Sequence, residues 1–214
     1  MKLIGLSGLI GSGKNTVAEI LAEYHGFKPV AFADALKDVC SVIFCWPREL
    51  LEGNTHESRL WRDQVDTWWS LKLGIPNFTP RYALQNIGTN LFREHFHTDI
   101  WVLTVERIIE SQQHDNIVVT DCRFFNELDI VKKHGGATWR VKRGNEPGWA
   151  TTAELANVSS NRLLQESAVA ALAAQGVHPS EYGAFGYFFD KTINNASTLD
   201  DLRITVDNAI KDYI

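Results

Sequence analysis

A glycine-rich segment near the N-terminus places a lysine where phosphate-binding loops carry theirs. Gly8, Gly13 and Lys14 fit the pattern G-x-x-x-x-G-K. Glycines at such positions let main-chain N–H groups turn toward a bound phosphate, and the following helix N-terminus adds positive dipole. The lysine ammonium can bridge the β- and γ-phosphates of a nucleoside triphosphate. The spacing therefore predicts a phosphate-binding loop, with a plain glycine-rich turn as the alternative interpretation.

The residue after the lysine departs from this pattern, because serine or threonine usually offers a hydroxyl to magnesium there. Asn15 occupies the position and Thr16 follows it. The amide oxygen of Asn15 could coordinate Mg²⁺ directly or through water, and Thr16 could instead hydrogen-bond a phosphate. We expect ATP to bind at Gly11, Ser12, Gly13, Lys14, Asn15 and Thr16, with Asn15 as the candidate metal ligand.

A carboxylate and a guanidinium follow a second apolar run. The run NIVVT at 116–120 is rich in β-branched residues and predicts a buried strand, after which come Asp121 and Arg123. Ligands in open α/β sheets bind at the carboxyl ends of strands, so both side chains should meet the phosphates together with Lys14. We predict catalytic roles for all three, with Asp121 orienting magnesium-bound water and Arg123 neutralising developing charge. An Asp–Arg ion pair at a strand end is the alternative.

The elements that must position these groups alternate between short strands and helices. Apolar runs predict strands at 2–7, 28–33, 116–120, 137–142 and 191–194. Apolar spacing predicts helices at 14–24, 35–44 (capped by Asp34), 57–72, 81–95, 99–110, 126–134 and 199–213. A helical insert at 151–176 would begin in a capping box of Thr151 and Glu154. Strands separated by helices predict an α/β fold with a mainly parallel sheet covered on both faces.

Composition limits the function classes. The 214 residues are 44% hydrophobic and 22% charged, as in one globular domain. A net charge of −5 without a basic block gives no footprint for binding a nucleic-acid duplex. Three cysteines without zinc spacing fit a reducing cytoplasm, and the apolar N-terminal run is too short for a signal peptide or a membrane span.

Several segments together resemble the phage deoxynucleoside monophosphate kinase family, typified by the T-even phage enzyme, within the P-loop kinases. The matching segments are GLIGSGKNT at 8–16, FADALK at 32–37, RYALQNIGTNLF at 81–92 with Trp101 nearby, and DCRFFNE at 121–127. Weaker matches are HPSE at 178–181 and INNASTLDDL at 193–202. Residues 151–176 look longer than the corresponding region of the T-even enzyme.

The resemblance implies a three-layer P-loop kinase fold and transfer of the ATP γ-phosphate to a deoxynucleoside monophosphate, assisted by Mg²⁺. It implies one domain over 1–214, with a helical monophosphate-binding region at about 45–112 and a lid or helical insert at about 144–186. A kinase for another small metabolite, such as dephospho-coenzyme A, and a regulatory ATP-binding protein are the alternatives. The protein would act in the cytoplasm, that of the host if it comes from a phage.

Carried over by position, the resemblance makes Arg81 a contact to the acceptor phosphate and makes Gln85, Gly88, Thr89 and Trp101 parts of the monophosphate site. Further candidates for that site are Asp34, Lys37, Arg59, Arg123 and Glu127, the last of which would orient Arg123. The alternatives are a solvated Arg81, a core Trp101, and helix capping by Asp34. Small nucleotides are the expected partners, without nucleic acid or membrane. A homodimer and the accepted base are left open.

Overall fold

The computed structural model describes residues 1–112 and 115–213, which divide into two compact units. The first, here called the sheet unit, comprises Met1–Ala31 and Ile108–Ile214. The second, the helical unit, comprises Phe32–Arg107. None of the helices in the described residues has the length and hydropathy that crossing a membrane requires.

The sheet unit contains a five-stranded parallel sheet, as the alternation of strands and helices predicts. Its strands are β1 Leu3–Ser7, β2 Phe27–Val30, β3 Asn116–Cys122, β4 Ala137–Lys142 and β5 Lys191–Asn194. They lie in the order β2-β3-β1-β4-β5, and every neighbouring pair is parallel. The apolar run LIGLS is central and buried throughout, which is why it reads as a continuous hydrophobic strand.

Eleven α-helices are present among the described residues. They are α1 Lys14–His25, α2 Asp34–Phe44, α3 His56–Asp63, α4 Thr67–Leu73, α5 Pro80–Gln85, α6 Ile100–Ser111, α7 Phe125–Lys133, α8 Ala150–Val158, α9 Arg162–Ala174, α10 Pro179–Tyr182 and α11 Leu199–Tyr213. A 3₁₀ turn covers Arg48–Leu51, and a π-helix covers Asn86–Glu94.

Alternate residues of β1 face opposite sides of the sheet, and helices cover both. Ile4 and Leu6 pack in the core formed with α1 and α11. On the other side Gly5 faces α7, where an added Cβ would lie 2.9 Å from a methyl group of Val131. The absence of a side chain at Gly5 therefore lets α7 approach closely, and the sheet unit has three layers.

Several predicted boundaries are wrong. The helix predicted over 57–72 is two helices, because Asp66 turns the chain and caps α4 by accepting the Trp69 N–H at 3.0 Å. Asp34 lies in the first turn of α2, with Ala33 at the N-cap position, so Asp34 does not cap it. The predicted capping box of Thr151 is absent, since α8 starts after Trp149 without a side-chain cap.

Two further differences concern the ends of elements near the expected site. β3 continues for two residues beyond its predicted end, so Asp121 lies within the strand and Arg123 follows it directly. The helix predicted over 81–95 is α5 followed by the π-helix. The predicted insert at 144–186 contains α8, α9 and α10, which share a small core with Phe185, and its role as a lid stays a prediction.

The helical unit has its own aromatic core. Phe44 stacks on Trp46 at 4.4 Å between ring centroids, and Phe78 lies 5.4 Å from Phe44. The rings of Trp61 and Trp69 pack against this cluster. Trp61 and Trp69 are therefore packing residues of this core.

Candidate active site

The loop between β1 and α1 has the conformation that its glycines predict. Gly8, Gly11 and Gly13 have φ values of 152°, 77° and 97°, a region that favours glycine. A side chain at Gly13 would also not fit, because an added Cβ would lie 2.2 Å from the amide nitrogen of Asn195. That nitrogen donates to the Ser12 carbonyl at 2.9 Å, so the turn after β5 braces the loop.

Asn195 is a site residue that sequence reasoning missed. Its only signal is its place in INNAS, a stretch that carries a weak family match and no assigned role. The contact joins residues that are 183 positions apart in the chain. Local spacing therefore could not reveal it.

Lys14 lies folded over its own loop. Its ammonium donates to the main-chain carbonyls of Gly8 at 2.7 Å and Leu9 at 2.9 Å. Burial lowers the pKa of Lys14 from 10.5 to about 8. The ammonium is thus held at the loop by carbonyl dipoles in surroundings that disfavour its charge.

The three residues predicted to be catalytic lie close enough to act on one another. After burial, the next cause of the lowered Lys14 pKa is the positive charge of Arg123, while the Asp121 carboxylate acts in the opposite direction. A lysine of the phosphate loop therefore lies within electrostatic range of an arginine and an aspartate. This combination can bind polyphosphate and neutralise negative charge.

Glu127 is buried, with 2% of its surface exposed, and acts on the main chain. Its carboxylate accepts the N–H groups of Arg123 at 2.7 Å and Phe124 at 3.2 Å. The carboxylate therefore fixes the backbone where β3 passes into α7. An orienting role of Glu127 toward Arg123 stays a prediction, and in the structure Glu127 binds the main-chain N–H of that arginine.

The predicted nucleotide-loop residues differ in exposure at the start of α1. Asn15 is exposed and Thr16 is half-buried. The Ser12 hydroxyl is buried and has no hydrogen-bond partner among the residues that the structure describes. A buried hydroxyl without a partner is uncommon, and here it lies inside a loop built for an anion.

In the helical unit Arg81 forms an ion pair with a carboxylate. Its Nε and Nη2 atoms both donate to Asp63, the latter at 3.1 Å. The hydrogen bond from Arg81 holds the pKa of Asp63 below its usual range. A guanidinium fork around two oxygens is also the geometry that binds a phosphate.

Two more arginines adjoin Arg81. The guanidinium of Arg62 lies against Gly53, where an added Cβ would approach it to 2.1 Å, and its Nε is buried without a hydrogen-bond partner among the described residues. Arg59 donates to the Asn54 carbonyl at 3.0 Å. Burial, followed by the charges of Arg81 and Arg59, lowers the pKa of Arg62. The sequence predicts Arg59 and Arg81 for this site.

Asp34 and Lys37 belong to another charged network of the helical unit. The Lys37 ammonium lies 2.7 Å from Glu52 and 3.4 Å from Asp34. Arg48 pairs with both of these carboxylates. The predicted contacts of Asp34 and Lys37 to the acceptor stay predictions, and in the structure both side chains are paired.

Among the predicted acceptor residues in and around the π-helix, some are exposed and others are buried. Gln85 and Thr89 are exposed. Gly88 packs against Leu36, whose methyl group would lie 2.6 Å from an added Cβ. Trp101 is 6% exposed and donates from its indole nitrogen to the Gly88 carbonyl at 3.0 Å. Trp101 thus supports the wide helical turn, and π-helical turns are frequent at functional sites.

Relatives of the chain are kinases by name. A protein of Acanthamoeba polyphaga mimivirus, named as a deoxynucleotide monophosphate kinase, is 35% identical over 162 residues, covering 71% of this chain and 77% of the relative. The deoxynucleoside-5'-monophosphate kinase of Escherichia phage T5 is 27% identical over 181 residues, covering 61% of this chain and 72% of the relative. No protein-family model matches the chain.

Solved structures of small-molecule kinases superpose on the chain. Shikimate kinase from Aquifex aeolicus is 12% identical at a TM-score of 0.49, and the superposition covers 99% of this chain and 97% of the shikimate kinase chain. Dephospho-CoA kinase from Campylobacter jejuni is 18% identical at a TM-score of 0.45, covering 99% of this chain and 96% of its own.

Proposed function

The chain belongs to the deoxynucleoside monophosphate kinase family, and from that premise we propose that it transfers the γ-phosphate of ATP to a deoxynucleoside monophosphate. The observation that carries the proposal is the group formed by Lys14, Asp121 and Arg123 at the glycine-rich loop. Such a group suits phosphoryl transfer, where the protein supplies position and charge more than covalent chemistry.

The loop between β1 and α1 binds the β- and γ-phosphates of ATP. Its main-chain N–H groups and the N-terminus of α1 supply donors, and Lys14 leaves the Gly8 and Leu9 carbonyls for phosphate oxygens. The buried Ser12 hydroxyl, which has no hydrogen-bond partner within 1–112 and 115–213, gains one in a phosphate oxygen.

The donor set also fits a magnesium ion. Mg²⁺ takes oxygen ligands and keeps several waters, and the amide oxygen of the exposed Asn15 and the carboxylate of Asp121 are such ligands. The ion would neutralise phosphate charge. Asn15 in place of serine or threonine points to coordination through an amide oxygen or a water.

Transfer is a single displacement. An oxygen of the acceptor phosphate forms a bond to the γ-phosphorus while the bond from that phosphorus to the β–γ bridging oxygen breaks, so the products are a deoxynucleoside diphosphate and ADP. Arg123 neutralises the charge that develops on the transferred group. The hydrogen bond from the main-chain N–H of Arg123 to the Glu127 carboxylate keeps Arg123 in place.

The helical unit binds the acceptor. The forked guanidinium of Arg81, with Arg59 and Arg62 nearby, binds the phosphate of the monophosphate. This phosphate replaces the Asp63 carboxylate as the partner of Arg81. The exposed Gln85 and Thr89 contact the deoxynucleoside. Trp101 keeps the π-helix in shape from within the core.

Acceptor assays test the proposal. We would incubate the protein with ATP, Mg²⁺ and each common deoxynucleoside and ribonucleoside monophosphate, and separate the products by chromatography. Diphosphate that forms from a deoxynucleotide, and forms more slowly at limiting monophosphate with Lys14→Met and Arg81→Ala, supports the proposal and names the base. ATP binding without transfer to any nucleotide contradicts it and favours another small-molecule acceptor or a regulatory role.

A further inference from the structure

The short helix α10 and its flanks, residues 178–186, lie beside Arg123 and have no part in the function described so far. The segment includes HPSE, a stretch that resembles the phage kinases without an assigned role. His178 caps α10 by accepting the Ser180 N–H on its Nδ1 atom at 3.2 Å. The other end is held by Asn157, which donates to the carbonyls of Tyr182 and Phe185 at 2.8 and 2.9 Å. The segment is therefore fixed at both ends.

The segment packs directly on the main chain at Arg123. An added Cβ at Gly183 would lie 2.7 Å from the Arg123 carbonyl oxygen and 2.6 Å from the ring of Phe124. Only a residue without a side chain permits so close an approach. Glu127 binds the N–H groups of the same two residues, so the backbone here is held by two elements.

A side-chain contact extends this support to the guanidinium. Arg123 donates from Nη1 to the Ser180 hydroxyl oxygen at 3.4 Å, and that hydroxyl lies 2.9 Å from His178 Nδ1. Because Nδ1 already accepts the Ser180 N–H, it carries a lone pair and also accepts the hydroxyl hydrogen. The hydroxyl oxygen is then left to accept from Arg123.

We propose that Ser180 is a positioning residue for Arg123, with His178 orienting the serine hydroxyl. The inference rests on the proposed role of Arg123 in phosphoryl transfer. A separation of 3.4 Å is long for a hydrogen bond, and catalytic hydrogen bonds often tighten when substrates bind. The contact would therefore act mainly in the transition state and affect kcat more than KM.

A double-mutant cycle of Ser180→Ala and Arg123→Ala tests the inference. We expect Ser180→Ala to lower kcat about three- to tenfold, with both KM values within about twofold of the parent. In the Arg123→Ala background the same change should have no further effect. Ser180→Thr, which keeps the hydroxyl, should restore kcat. Ser111→Ala is the matched control, because its exposed hydroxyl binds the Ile108 carbonyl within α6.

The double-mutant cycle tests the proposed role of Arg123 and the positioning role of Ser180 separately. If Arg123→Ala keeps full activity, the proposed function of Arg123 fails. If Arg123→Ala is impaired but Ser180→Ala lowers kcat equally in both backgrounds, the positioning role of Ser180 is overturned. Ser180→Cys, similar in size but a weak acceptor, is measured in parallel and should behave like Ser180→Ala, so a folding defect in the alanine variant leaves the test intact.

Discussion

The two units hold their predicted functional groups in different ways. In the sheet unit the main hydrogen bonds of these groups have a main-chain atom on one side: the Lys14 ammonium binds loop carbonyls, and the Glu127 carboxylate binds the N–H groups of Arg123 and Phe124. In the helical unit they are held by other side chains, as Arg81 is by Asp63 and Lys37 by Glu52. Main-chain partners are fixed by the fold, whereas a side-chain carboxylate can be replaced.

This difference suits the two substrates that we propose. Every ATP molecule presents the same phosphates, so a rigid loop can serve all of them. An acceptor site must bind one phosphate, and a carboxylate counter-ion keeps its arginines satisfied until that phosphate arrives. The predictions below test this contrast, starting with the largest expected effect.

Loss of the lysine in the loop should have the largest effect. Lys14→Met removes the ammonium that neutralises phosphate charge, and we expect kcat/KM to fall by about 10³-fold. The midpoint of thermal unfolding should stay the same or rise, because the variant no longer buries a charge. Steady-state kinetics and thermal melts measure both. Lys28→Met, in an exposed pair with Asp115, is the control, and near-parental activity in Lys14→Met would remove the loop from the mechanism.

The effect of Arg81→Ala should be smaller than that of Lys14→Met and confined to one substrate. We expect the KM for the monophosphate to rise by about ten- to a hundredfold, since a charged, forked pair with the phosphate is lost. The KM for ATP should change less than twofold. Initial rates with each substrate varied in turn measure this. Equal effects on both substrates would contradict the assignment of the acceptor to the helical unit, and Arg162→Ala, in an exposed pair with Glu166, is the control.

The lowered pKa of Lys14 predicts a pH dependence in the sheet unit alone. The ammonium of the free protein deprotonates near pH 8, so the Kd for ATP should rise above pH 8, by up to about tenfold per pH unit. Isothermal titration calorimetry at pH 7, 8 and 9 measures this, and proton uptake should accompany binding. Lys14→Arg, which stays charged, should show a flat profile. A flat profile in the parent protein would contradict the lowered pKa.

The lowered pKa of Lys14 also predicts how the free energy of unfolding changes with pH. Between pH 8 and 10.5 the unfolded lysine keeps a proton that the folded one has released. The unfolded state therefore binds more protons in this window, and the free energy of unfolding should rise with pH relative to Lys14→Met. Urea unfolding at pH 7.5 and 9.5 measures the difference between the two proteins.

The sequence predicts the sheet unit well because its signals are local. Five strands and the loop follow from apolar runs and glycine spacing within about ten residues. The brace from Asn195 to Ser12 lies outside that range, since it depends on how β5 places a residue beside a distant loop.

The helical unit is predicted less well for a related reason. The break before α4 depends on Asp66, which also accepts the indole N–H of Trp46, twenty residues away. The π-helix depends on Gly88 meeting Leu36 and Trp101. Helical periodicity gives no sign of either contact.

The smallest expected effect is the sharpest test of the contrast between the units. Asp63→Asn keeps the size of the side chain at Arg81 but removes its charge, so the incoming phosphate no longer displaces a carboxylate. We expect the KM for the monophosphate to fall about threefold, which is small because an exposed ion pair is weak.

Glu166→Gln, which neutralises the exposed partner of Arg162, is the matched control and should leave KM unchanged. Inhibition by inorganic phosphate should also strengthen in Asp63→Asn, because its arginines are open to any anion of that geometry. A rise in KM would mean that Asp63 holds Arg81 in its productive position while substrate is bound. Side-chain partners would then be as fixed as the main-chain partners of Lys14, and the proposed difference between the units would not hold.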